Sequence, residues 1–403
     1  MKNTLFISYD GLSDPLGQSQ ILPYLKLISN FNHKLFVVTT EKKERIVSQE
    51  KKIKKLLESN NITWKNLIFS KNNSKIYRLL DLIKMFFYYF YVINIYKINI
   101  VHIRGFLPAI PILYLRNFMK FKIIYDSRGL WVDERIDNGS ILIENFFHKI
   151  IYKILKRIET KIFYKSDSII VLTRRAKKII TNNYNISKIT IIPCCADYNY
   201  FQYLNDIKTK KQIINKLNLP INKNILLYSG SLKGVYLFQD MISFFENLNS
   251  INNNFIFVIV TNDLSYAKNK LKNLNNPQNI FIFNGKREDM PKFYNIADAL
   301  ICFIKSTYAR QCSSPTKIAE ALASNVPLVC NMGVGDINLI IKKLKSGILI
   351  NLDKDNIKLD YEKEILKLIH NNNSSRIRDE SQKYFDLGCA YSKYSNLYNK
   401  FLS

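Results

Sequence analysis

Histidine, acidic residues and paired cysteines are scarce in this chain. Its 403 residues include four histidines and six cysteines, and 32 acidic residues stand against 60 lysines and arginines. No CxxC pair occurs, and Cys194 and Cys195 are adjacent, which suits neither an ordinary disulfide nor a zinc site. These absences argue against a disulfide framework and favour a reducing cytoplasm.

Long apolar runs are also missing. The most apolar segment, Met85–Tyr96, has about half of the roughly 20 residues that a membrane span needs, and Asn94 interrupts it. We therefore predict a buried helix here rather than one that dips into a membrane. The first residues, MKNTLFISYDG, enter a glycine-containing loop rather than a cleavage site, which predicts a first β-strand instead of a signal peptide.

The excess of basic residues gives a formal net charge of +28. Part of it reflects a coding bias, since asparagine, lysine and isoleucine crowd every loop, but the folded surface must still be strongly positive. Nucleic acid, anionic lipid and phosphorylated substrates all fit such a surface. The basic residues are dispersed and form no recognition motif with interleaved aromatic residues, so nucleic acid is not expected as a partner.

Strand-like apolar runs alternate with helical patterns in two series along the chain, and 47% apolar residues suffice for two cores. We predict an α/β fold of two Rossmann-like parallel-sheet domains facing a central cleft. The predicted parts are an N-terminal domain (1–200), a linker (201–221), a C-terminal domain (222–380) and a helix (381–403) that crosses back. The predicted strands are Leu5–Tyr9, Lys34–Thr39, Ile100–Ile103, Lys122–Tyr125, Ser168–Leu172, Asn224–Tyr228, Phe255–Val260, Ile280–Phe283, Ala299–Phe303, Pro327–Cys330 and Gly347–Ile350.

The segment SSPTKIAEAL is typical of a helix that binds phosphate at its start. Ser314 is predicted as the N-cap and Pro315 as the first helical residue, which leaves the amides of Thr316 and Lys317 without intrahelical partners. Glu320 lies one turn deeper, where a carboxylate would repel phosphate but accept hydrogen bonds from a ribose diol. The motif fits a nucleotide-sugar, although an ordinary capped helix has the same residues.

A second phosphate-binding candidate is YSGSLKGVYLF, which follows the first predicted strand of the C-terminal domain. Gly230 and Gly234 permit close approach of the backbone, Ser231 lies between them, and Lys233 can meet a phosphate. No GK[ST] follows, so this is not a Walker loop. A simple glycine-containing turn is the alternative.

Two loops of the N-terminal domain are candidates for an acceptor site. In SYDGLSDPLGQSQILPYL, Gly17 helps to form a tight loop and Gln18 begins a helix at the carboxyl edge of the sheet. In VHIRG, His102 ends a strand beside Arg104. Turn chemistry and a structural histidine are the alternatives.

The loop YDSRGLWVDERIDNG concentrates charge after another strand. Asp126, Arg128, Asp133 and Glu134 surround Trp131, which suggests a site for an acceptor hydroxyl and a sugar. A salt-bridge cluster on the surface explains the same residues. Elsewhere, Asp353 and Asp355 in LDKDN resemble a DxD metal site, but without a supporting carboxylate cluster we predict a solvated turn and no metal.

Residues His148–Lys165 predict a basic amphipathic helix. Its apolar stripe is expected to pack on the sheet, while its basic side could meet anionic lipid. The stripe comprises Ile150, Ile151, Ile154, Leu155, Ile158 and Ile162, and the basic side comprises Lys149, Lys153, Lys156, Arg157, Lys161 and Lys165.

Taken together, these motifs make the chain resemble the family 4 glycosyltransferases of the GT-B fold, in particular enzymes of bacterial surface polysaccharide synthesis. The order and spacing of DGLSDPLGQSQILPYL, YDSRGLWVDE, SDSIIVLT, IIPCCADYNYF, YSGSLKGVY, MPKFYNIADALICF and SSPTKIAEALASNVPLVCNMGVGD carry the likeness. The resemblance implies that Ser314 to Lys317 hold the pyrophosphate of a UDP- or GDP-sugar. It also implies that Glu320 holds the ribose and that Lys233 or Arg287 steadies the phosphate charge.

The resemblance further implies transfer with retention of anomeric configuration, no metal or other cofactor, and a glycan or lipid-linked acceptor at the inner face of the cell membrane. The chain departs from the family pattern at two places. Cys312 stands where many members have another glutamate, and no histidine occurs in the loop where Asp126 and Arg128 stand. A nucleotide-sugar epimerase or phosphorylase of the same fold and a basic nucleic-acid-binding protein are the alternatives.

Overall fold

The computed structural model describes residues 1–68, 75–251, 253–272, 274, 277–352, 360–372 and 374–402. The chain divides into two compact units. The first unit combines Met1–Pro193 with Leu387–Ser403, and the second comprises Cys194–Asp386.

Among its described residues the first unit has a parallel sheet of seven strands in the order β3-β2-β1-β4-β5-β6-β7. Strands β1, β4, β5 and β6 are almost entirely buried, as expected for a parallel sheet covered by helices on both faces. The strands are β1 (Lys2–Ser8), β2 (His33–Glu41), β3 (Ile62–Ile68), β4 (Ile100–Arg104), β5 (Lys122–Asp126), β6 (Ser168–Val171) and β7 (Ile189–Ile191). The helices are α1 (Pro15–Gln20), α2 (Leu22–Ser29), α3 (Lys43–Glu58), α4 (Lys75–Ile95), α5 (Ala109–Leu115), α6 (Trp131–Asp137), α7 (Phe146–Lys165) and α8 (Arg174–Tyr184).

The second unit has a parallel sheet of six strands over its described residues, in the order β10-β9-β8-β11-β12-β13. Its strands are β8 (Asn224–Ser229), β9 (Phe255–Val260), β10 (Ile280–Phe283), β11 (Ala299–Cys302), β12 (Leu328–Asn331) and β13 (Gly347–Ile350). Its helices are α9 (Ile207–Lys216), α10 (Phe238–Ile251), α11 (Leu264–Leu271), α12 (Met290–Ile296), α13 (Thr316–Ala323), α14 (Ile337–Leu344), α15 (Asp360–His370) and α16 (Arg376–Phe385). Helix α17 (Leu387–Leu402) then returns to the first unit, as predicted.

Strand order reverses once in each sheet, between β1 and β4 in the first unit and between β8 and β11 in the second. Ligands of open α/β sheets bind outside the carboxyl ends of the strands at such a reversal. The loops after β8 and β11 in the second unit, and after β1 and β4 in the first, are therefore the places to look for a site.

The predicted domain boundaries differ from the observed ones. The structure divides the chain after Pro193 rather than after residue 200, and the segment predicted as a linker, 201–221, lies inside the second unit and contains α9. The reason is apolar packing, because Tyr198 and Phe201 are buried in the second unit's core. Arg378 of α16 donates hydrogen bonds to the carbonyl oxygens of both residues, at 2.6 Å each.

The buried helix predicted at Met85–Tyr96 is only partly buried. Helix α4 buries Met85 and Tyr89, but Phe87 and Phe90 on its other side are exposed. No helix over the described residues is both long and apolar enough to cross a bilayer.

Candidate active site

The loop after β8 turns sharply at the reversal point of the second sheet. Gly230 has φ of +112° and Gly234 has φ of +77°, values that favour glycine. Asp263, in the segment after β9, holds the loop by accepting hydrogen bonds from the Ser231 hydroxyl at 2.8 Å and the Leu232 amide at 2.9 Å. Burial acts to raise the pKa of Asp263, but these hydrogen bonds and nearby Lys233 outweigh it and lower the pKa.

Lys233 occupies the solvent side of this loop. Its side chain is largely exposed, and its Nζ atom lies 3.8 Å from Asp263 Oδ1 and 5.5 Å from the centroid of the Tyr266 ring. An exposed ion pair of this kind is weak and easily exchanged. Lys233 can therefore exchange its ion pair with Asp263 for one with a phosphate.

Helix α13 begins one residue later than predicted. Pro315 has φ of −67° and ψ of 125°, so it is the N-cap rather than the first helical residue, and Thr316 comes first. Ser314 therefore does not cap the helix, and its hydroxyl accepts a hydrogen bond from the amide of Cys194 at 3.2 Å. The first amides of α13 still lack intrahelical acceptors, as in every helix, so the anion-binding character of this helix start remains.

Lys317 does not extend from the tip of α13 into solvent. It is buried, and its Nζ atom lies 4.0 Å from the ring centroid of Tyr228 and 3.8 Å from that of Tyr236. A Cβ atom added to Gly230 would come within 3.1 Å of Nζ, so the ammonium lies directly beside the glycine turn. Among the described residues Nζ has no hydrogen-bond partner, and burial lowers the pKa of Lys317 to about 8.

Glu320 is held from two sides. Arg287 Nη1 donates to its Oε1 atom at 3.2 Å, and the Tyr294 hydroxyl donates to its Oε2 atom at 3.2 Å. Tyr294 is fully buried, and its oxygen lies 2.8 Å from the Ser229 hydroxyl at the end of β8. A carboxylate accepts about four hydrogen bonds, so these two donors fix its orientation and leave room for others.

Arg287 is therefore a neighbour of Glu320. The sequence predicted that Arg287 would bind phosphate and that Glu320 would bind the ribose. The guanidinium of Arg287 also lies over the rings of Tyr200 and Phe201, at 5.6 and 5.7 Å from their centroids. The Tyr200 hydroxyl donates to the Arg287 carbonyl oxygen at 3.0 Å. Arg287 is thus positioned by aromatic contacts as well as by charge.

A buried cysteine stands at the place of the missing glutamate. Cys312 is buried at the end of a 3₁₀ helix, Ala309–Cys312, so it offers no exposed group to a ligand. The neighbouring Ser313 hydroxyl accepts a hydrogen bond from Arg310 Nη1 at 3.3 Å. Five further residues of the site were not predicted from the sequence, because their roles depend on contacts between distant loops: Arg310, Tyr228, Tyr236, Tyr294 and Asp263.

In the first unit, Gly17 and Gln18 shape the loop after β1. A Cβ atom on Gly17 would collide with the carbonyl oxygen of Gly11, and Gln18 Nε2 donates to the Leu12 carbonyl oxygen at 2.6 Å. The buried carboxylate of Glu41 accepts the Leu12 amide at 2.6 Å. The two predicted acceptor-side residues therefore hold the loop in place.

Asp126 joins two arginines at the carboxyl edge of the first sheet. It is buried, its Oδ2 atom lies 3.3 Å from Arg104 Nη1, and its Oδ1 atom lies 3.2 Å from Arg128 Nη1. Burial acts to raise the pKa of Asp126, but Arg128 and Arg104 outweigh it and lower the pKa. The cluster is buried rather than superficial, and its two cations and one anion leave a net positive charge.

Asp133 and Glu134 have different surroundings from those predicted. Asp133 is buried and accepts hydrogen bonds from the Tyr152 hydroxyl at 2.8 Å and from Lys156 Nζ at 3.0 Å, which ties α6 to α7. Glu134 lies against Gly129, since a Cβ atom there would be 2.6 Å from Glu134 Oε1. Asp133 is therefore occupied by internal contacts.

His102 is a core residue. It is fully buried in β4, and its Nδ1 atom is 2.7 Å from the hydroxyl of Tyr398 on α17. Burial lowers the pKa of His102 to about 4, so the ring is neutral at physiological pH. The predicted acceptor-side role for His102 is wrong, because α17 covers the side chain and leaves none of it exposed to a ligand.

No group of three or more potential metal ligands occurs among the residues that the structure describes. The DxD-like residues Asp353 and Asp355 lie outside the described residues.

Residues 209–384 match the family model described as glycosyl transferases group 1. The matched residues cover most of the second unit. The match includes β8, α13, Arg287 and Glu320, and so covers the candidate site of this unit. A curated relative, an uncharacterized glycosyltransferase of Methanocaldococcus jannaschii, is 26% identical over 257 residues, which are 62% of this chain and 62% of the relative.

Solved structures similar to this chain share the fold across its full length. Sucrose-phosphate synthase of Thermosynechococcus elongatus superposes with a TM-score of 0.70 at 12% identity, covering 100% of this chain and 99% of the other. The Anabaena protein HepE, solved in complex with UDP and glucose, superposes with a TM-score of 0.71 at 10% identity, covering 99% and 100%. The two parallel-sheet units and these similarities confirm the predicted GT-B fold.

The second unit brings most of the predicted donor residues to one edge of its sheet. Gly230 and Lys317 are adjacent, and Arg287 contacts Glu320. These four residues can bind an anion at the glycine turn and a hydroxyl group that donates a hydrogen bond to Glu320.

Proposed function

We propose that this protein transfers a sugar from a nucleotide-sugar to a glycan acceptor. The observation that carries the proposal is the fixed carboxylate of Glu320, one turn inside α13 and close to the loop after β8 within a glycosyl transferases group 1 domain. A helix start suits a diphosphate, and a carboxylate one turn further along suits a ribose diol. The structure of HepE with UDP and glucose on the same fold supports this choice of ligand.

In the proposed donor complex, the diphosphate lies between the first amides of α13 and the glycine turn at Gly230. Glu320 accepts the ribose hydroxyls, and the donor is UDP- or GDP-linked. Lys233 and Arg287 supply positive charge from the periphery. No metal or other cofactor is assigned, so transfer is expected to survive treatment with EDTA.

The proposed reaction retains the anomeric configuration. When the nucleoside diphosphate leaves, negative charge grows on the phosphate oxygen that was bonded to the sugar. Amides of the helix start and the nearby cations stabilise that charge as it develops. The freed oxygen then accepts the proton of the attacking hydroxyl on the same face of the sugar, so no protein nucleophile is required.

We assign the acceptor to the first unit, with Arg128 and Asp126 at the carboxyl edge of its sheet. The net positive charge of Asp126 with Arg104 and Arg128 favours an acceptor that carries phosphate. A lipid-linked glycan of cell-surface polysaccharide synthesis, presented at the cytoplasmic face of the membrane, has this chemistry.

The first test is calorimetric titration with UDP and GDP. The parent protein should bind one of them, and Glu320→Gln should bind it more weakly, because the amide replaces one acceptor oxygen with a donor. The exposed Glu364 of the same unit provides a matched control as Glu364→Gln. Lack of binding of either nucleotide by the parent would overturn the proposal.

A second measurement separates transfer from the alternative enzymes of the same fold. The bound nucleotide's sugar conjugates are incubated with and without a lipid-linked acceptor, and products are identified by mass and by the configuration of the new bond. A retaining glycosyltransferase should form the new bond only when the acceptor is present, with the configuration of the donor sugar kept. Conversion of the nucleotide-sugar without any acceptor would indicate an epimerase instead.

A further inference from the structure

Helix α4 is apolar on both sides. Its inner side packs into the first unit's core, and its outer side exposes a row of large apolar residues at helical spacing. Phe87 is 64% exposed. The outer residues are Leu79, Leu80, Ile83, Phe87, Phe90, Tyr91 and Ile95. A helix that is apolar all round is normally covered on every side.

Helices α5 and α7 extend this row. Helix α5 contacts both α4 and α7. Phe118, just after α5, is 81% exposed, and Phe146 and Phe147 at the start of α7 are 71% and 73% exposed. The stripe that was predicted to pack α7 on the sheet does so only in part, because Ile162 is buried while Ile150, Ile151 and Ile154 are exposed.

The topology places these helices on one side of the sheet. The connections from β3 to β4, β4 to β5 and β5 to β6 all run in the same direction along the sheet. Since such crossovers are right-handed, α4, α5 and α7 share one face. We call their exposed apolar residues the apolar face, with these members: Leu79, Leu80, Ile83, Phe87, Phe90, Tyr91, Ile95, Tyr114, Phe118, Phe146, Phe147, Ile150, Ile151 and Ile154.

The charges around the apolar face are almost all positive. Exposed basic residues on these helices and the segments next to them are Arg78, Lys84, Lys120, Lys149, Lys153, Arg157, Lys161 and Lys165. The acidic residues of α4 and α7, Asp81 and Glu159, are buried, and Glu144, two residues before α7, is an exposed acidic residue beside the face. Lys156 is not part of this basic set, because its ammonium donates hydrogen bonds to the carboxylates of Asp133 and Glu159.

We infer that the apolar face inserts into the surface of an anionic phospholipid bilayer. Single exposed apolar residues are ordinary, but contiguous ones mark an interaction site. Large aromatic and aliphatic residues bordered by lysine and arginine match the apolar and headgroup layers of such a bilayer. A second copy of the chain is a poorer occupant, because a symmetric contact would bring the same basic residues together.

This inference does not depend on the sugar or nucleotide, and it adds a location to the proposed function. The apolar face lies on the unit to which we assign the acceptor. The inference also predicts how membrane binding responds to salt. Attraction by charge alone is abolished at high ionic strength, whereas insertion of aromatic side chains persists.

The experiment compares four proteins in vesicle flotation and in lipid monolayers. The insertion variant replaces Phe87, Phe118, Phe146 and Phe147 with serine. The charge variant replaces Lys149, Lys153, Arg157 and Lys161 with glutamine. The control variant replaces four exposed apolar residues outside the face, Val47, Ile207, Ile221 and Leu339, with serine. Thermal melting checks that each variant folds.

The parent and the control should bind vesicles of phosphatidylcholine mixed with phosphatidylglycerol, raise the monolayer pressure, and keep part of their binding at high salt. The insertion variant should lose about tenfold or more in partitioning and should not raise the pressure. The charge variant should lose its preference for the anionic lipid.

Equal binding by the insertion variant and the parent would overturn the inference. So would a parent that ignores vesicles but self-associates through these phenylalanines in light scattering, since a second copy would then cover the face. Nucleotide titrations on the same four proteins should agree with one another. If the parent binds neither nucleotide, that result counts against the proposed function and not against the membrane contact.

Discussion

The ammonium of Lys317 lies between the aromatic rings of Tyr228 and Tyr236, at 4.0 and 3.8 Å from their centroids, and directly beside Gly230. Faces of aromatic rings attract a cation but do not replace the hydrogen bonds that it makes in water. Burial accordingly lowers the pKa of Lys317 to about 8. The position combines a stability cost with a charge next to the proposed diphosphate site.

Lys317→Met should stabilise the protein and weaken diphosphate binding. At pH 7 the buried charge costs folding free energy, so the variant should be more stable by about 1 to 3 kcal/mol. Because the folded-state pKa is below that of the unfolded chain, the parent gains stability relative to the variant as pH rises from about 8 to 10. Urea unfolding curves of the two proteins, measured across this pH range, show whether the free energy of unfolding of the parent rises relative to that of the variant.

Other groups facing Lys317 should not obscure this difference. Burial raises the pKa values of Tyr228, Tyr236, Cys302 and Cys330, so none of them becomes charged near pH 8, and Glu320 is present in both proteins. Affinity for the diphosphate is titrated in parallel. A variant that is no more stable, and that binds as tightly as the parent, would show that the ammonium is adequately compensated and has no part in the site.

Arg287 and Glu320 should be coupled in nucleotide binding. Loss of a hydrogen bond to a charged group costs about 1.5 to 3 kcal/mol, so Glu320→Ala should weaken UDP or GDP binding by about ten- to a hundredfold. Arg287→Ala leaves the carboxylate without one of its two fixed donors. A double-mutant cycle measured by calorimetry should give an interaction energy of about 0.5 to 3 kcal/mol. Strict additivity would mean that the ion pair and the nucleotide site are independent.

Arg128→Gln should reduce transfer without changing nucleotide affinity. Arg128 lies on the first unit with Asp126, whereas the proposed nucleotide site is on the second. Kinetics should show the loss in turnover or in KM for the acceptor, with the dissociation constant of the nucleotide unchanged. Arg175→Gln, at a half-buried arginine of α8 on the same unit, serves as the control. A variant that transfers as fast as the parent would remove Arg128 from the acceptor site.

His102 should affect stability in acid and leave the nucleotide site unaffected. Its pKa is lowered by burial from 6.5 to about 4, so the unfolded chain binds a proton that the folded chain does not. Stability from this residue is therefore complete above about pH 6.5 and is lost towards pH 4, by up to about 3 kcal/mol. Unfolding of the parent and of His102→Gln, compared at pH 7.5 and 4.5, measures this loss. The same dependence on pH in both proteins would assign it to other groups.

The strands that the sequence predicted best are those buried on both faces. Runs such as Phe255–Val260 are apolar throughout, so neither the strand nor its burial depends on distant residues. Strand β3 was missed because it is an edge strand in which half-exposed and polar residues, such as Lys65, alternate with apolar ones. Strand β7 was missed because it has three residues.

The candidate site was predictable only in its local parts. The helix start, predicted at Pro315 and found one residue later at Thr316, and the carboxylate one turn further along follow from spacing along the chain. The rings around Lys317 come from β8 and from the loop before α10, and Arg287 and Tyr294, which donate to Glu320, are 33 and 26 residues away from it, so no local pattern indicates them. The exposed side of α4 was mistaken for core because composition reports how apolar a helix is, not how many of its sides are covered.

The return of α17 to the first unit sets an order of assembly during synthesis. Tyr398 contacts His102 across 296 residues, and Lys2 donates to the carbonyl oxygen of Phe401 at 2.7 Å. The second unit is continuous in sequence and has all of its residues before α17 is made. The first unit, although its other residues are translated earlier, stays without this helix until the second unit has been translated. A fragment ending at Pro193 would therefore expose the apolar surface around His102 that α17 normally covers, and a chain truncated before Leu387 would do the same.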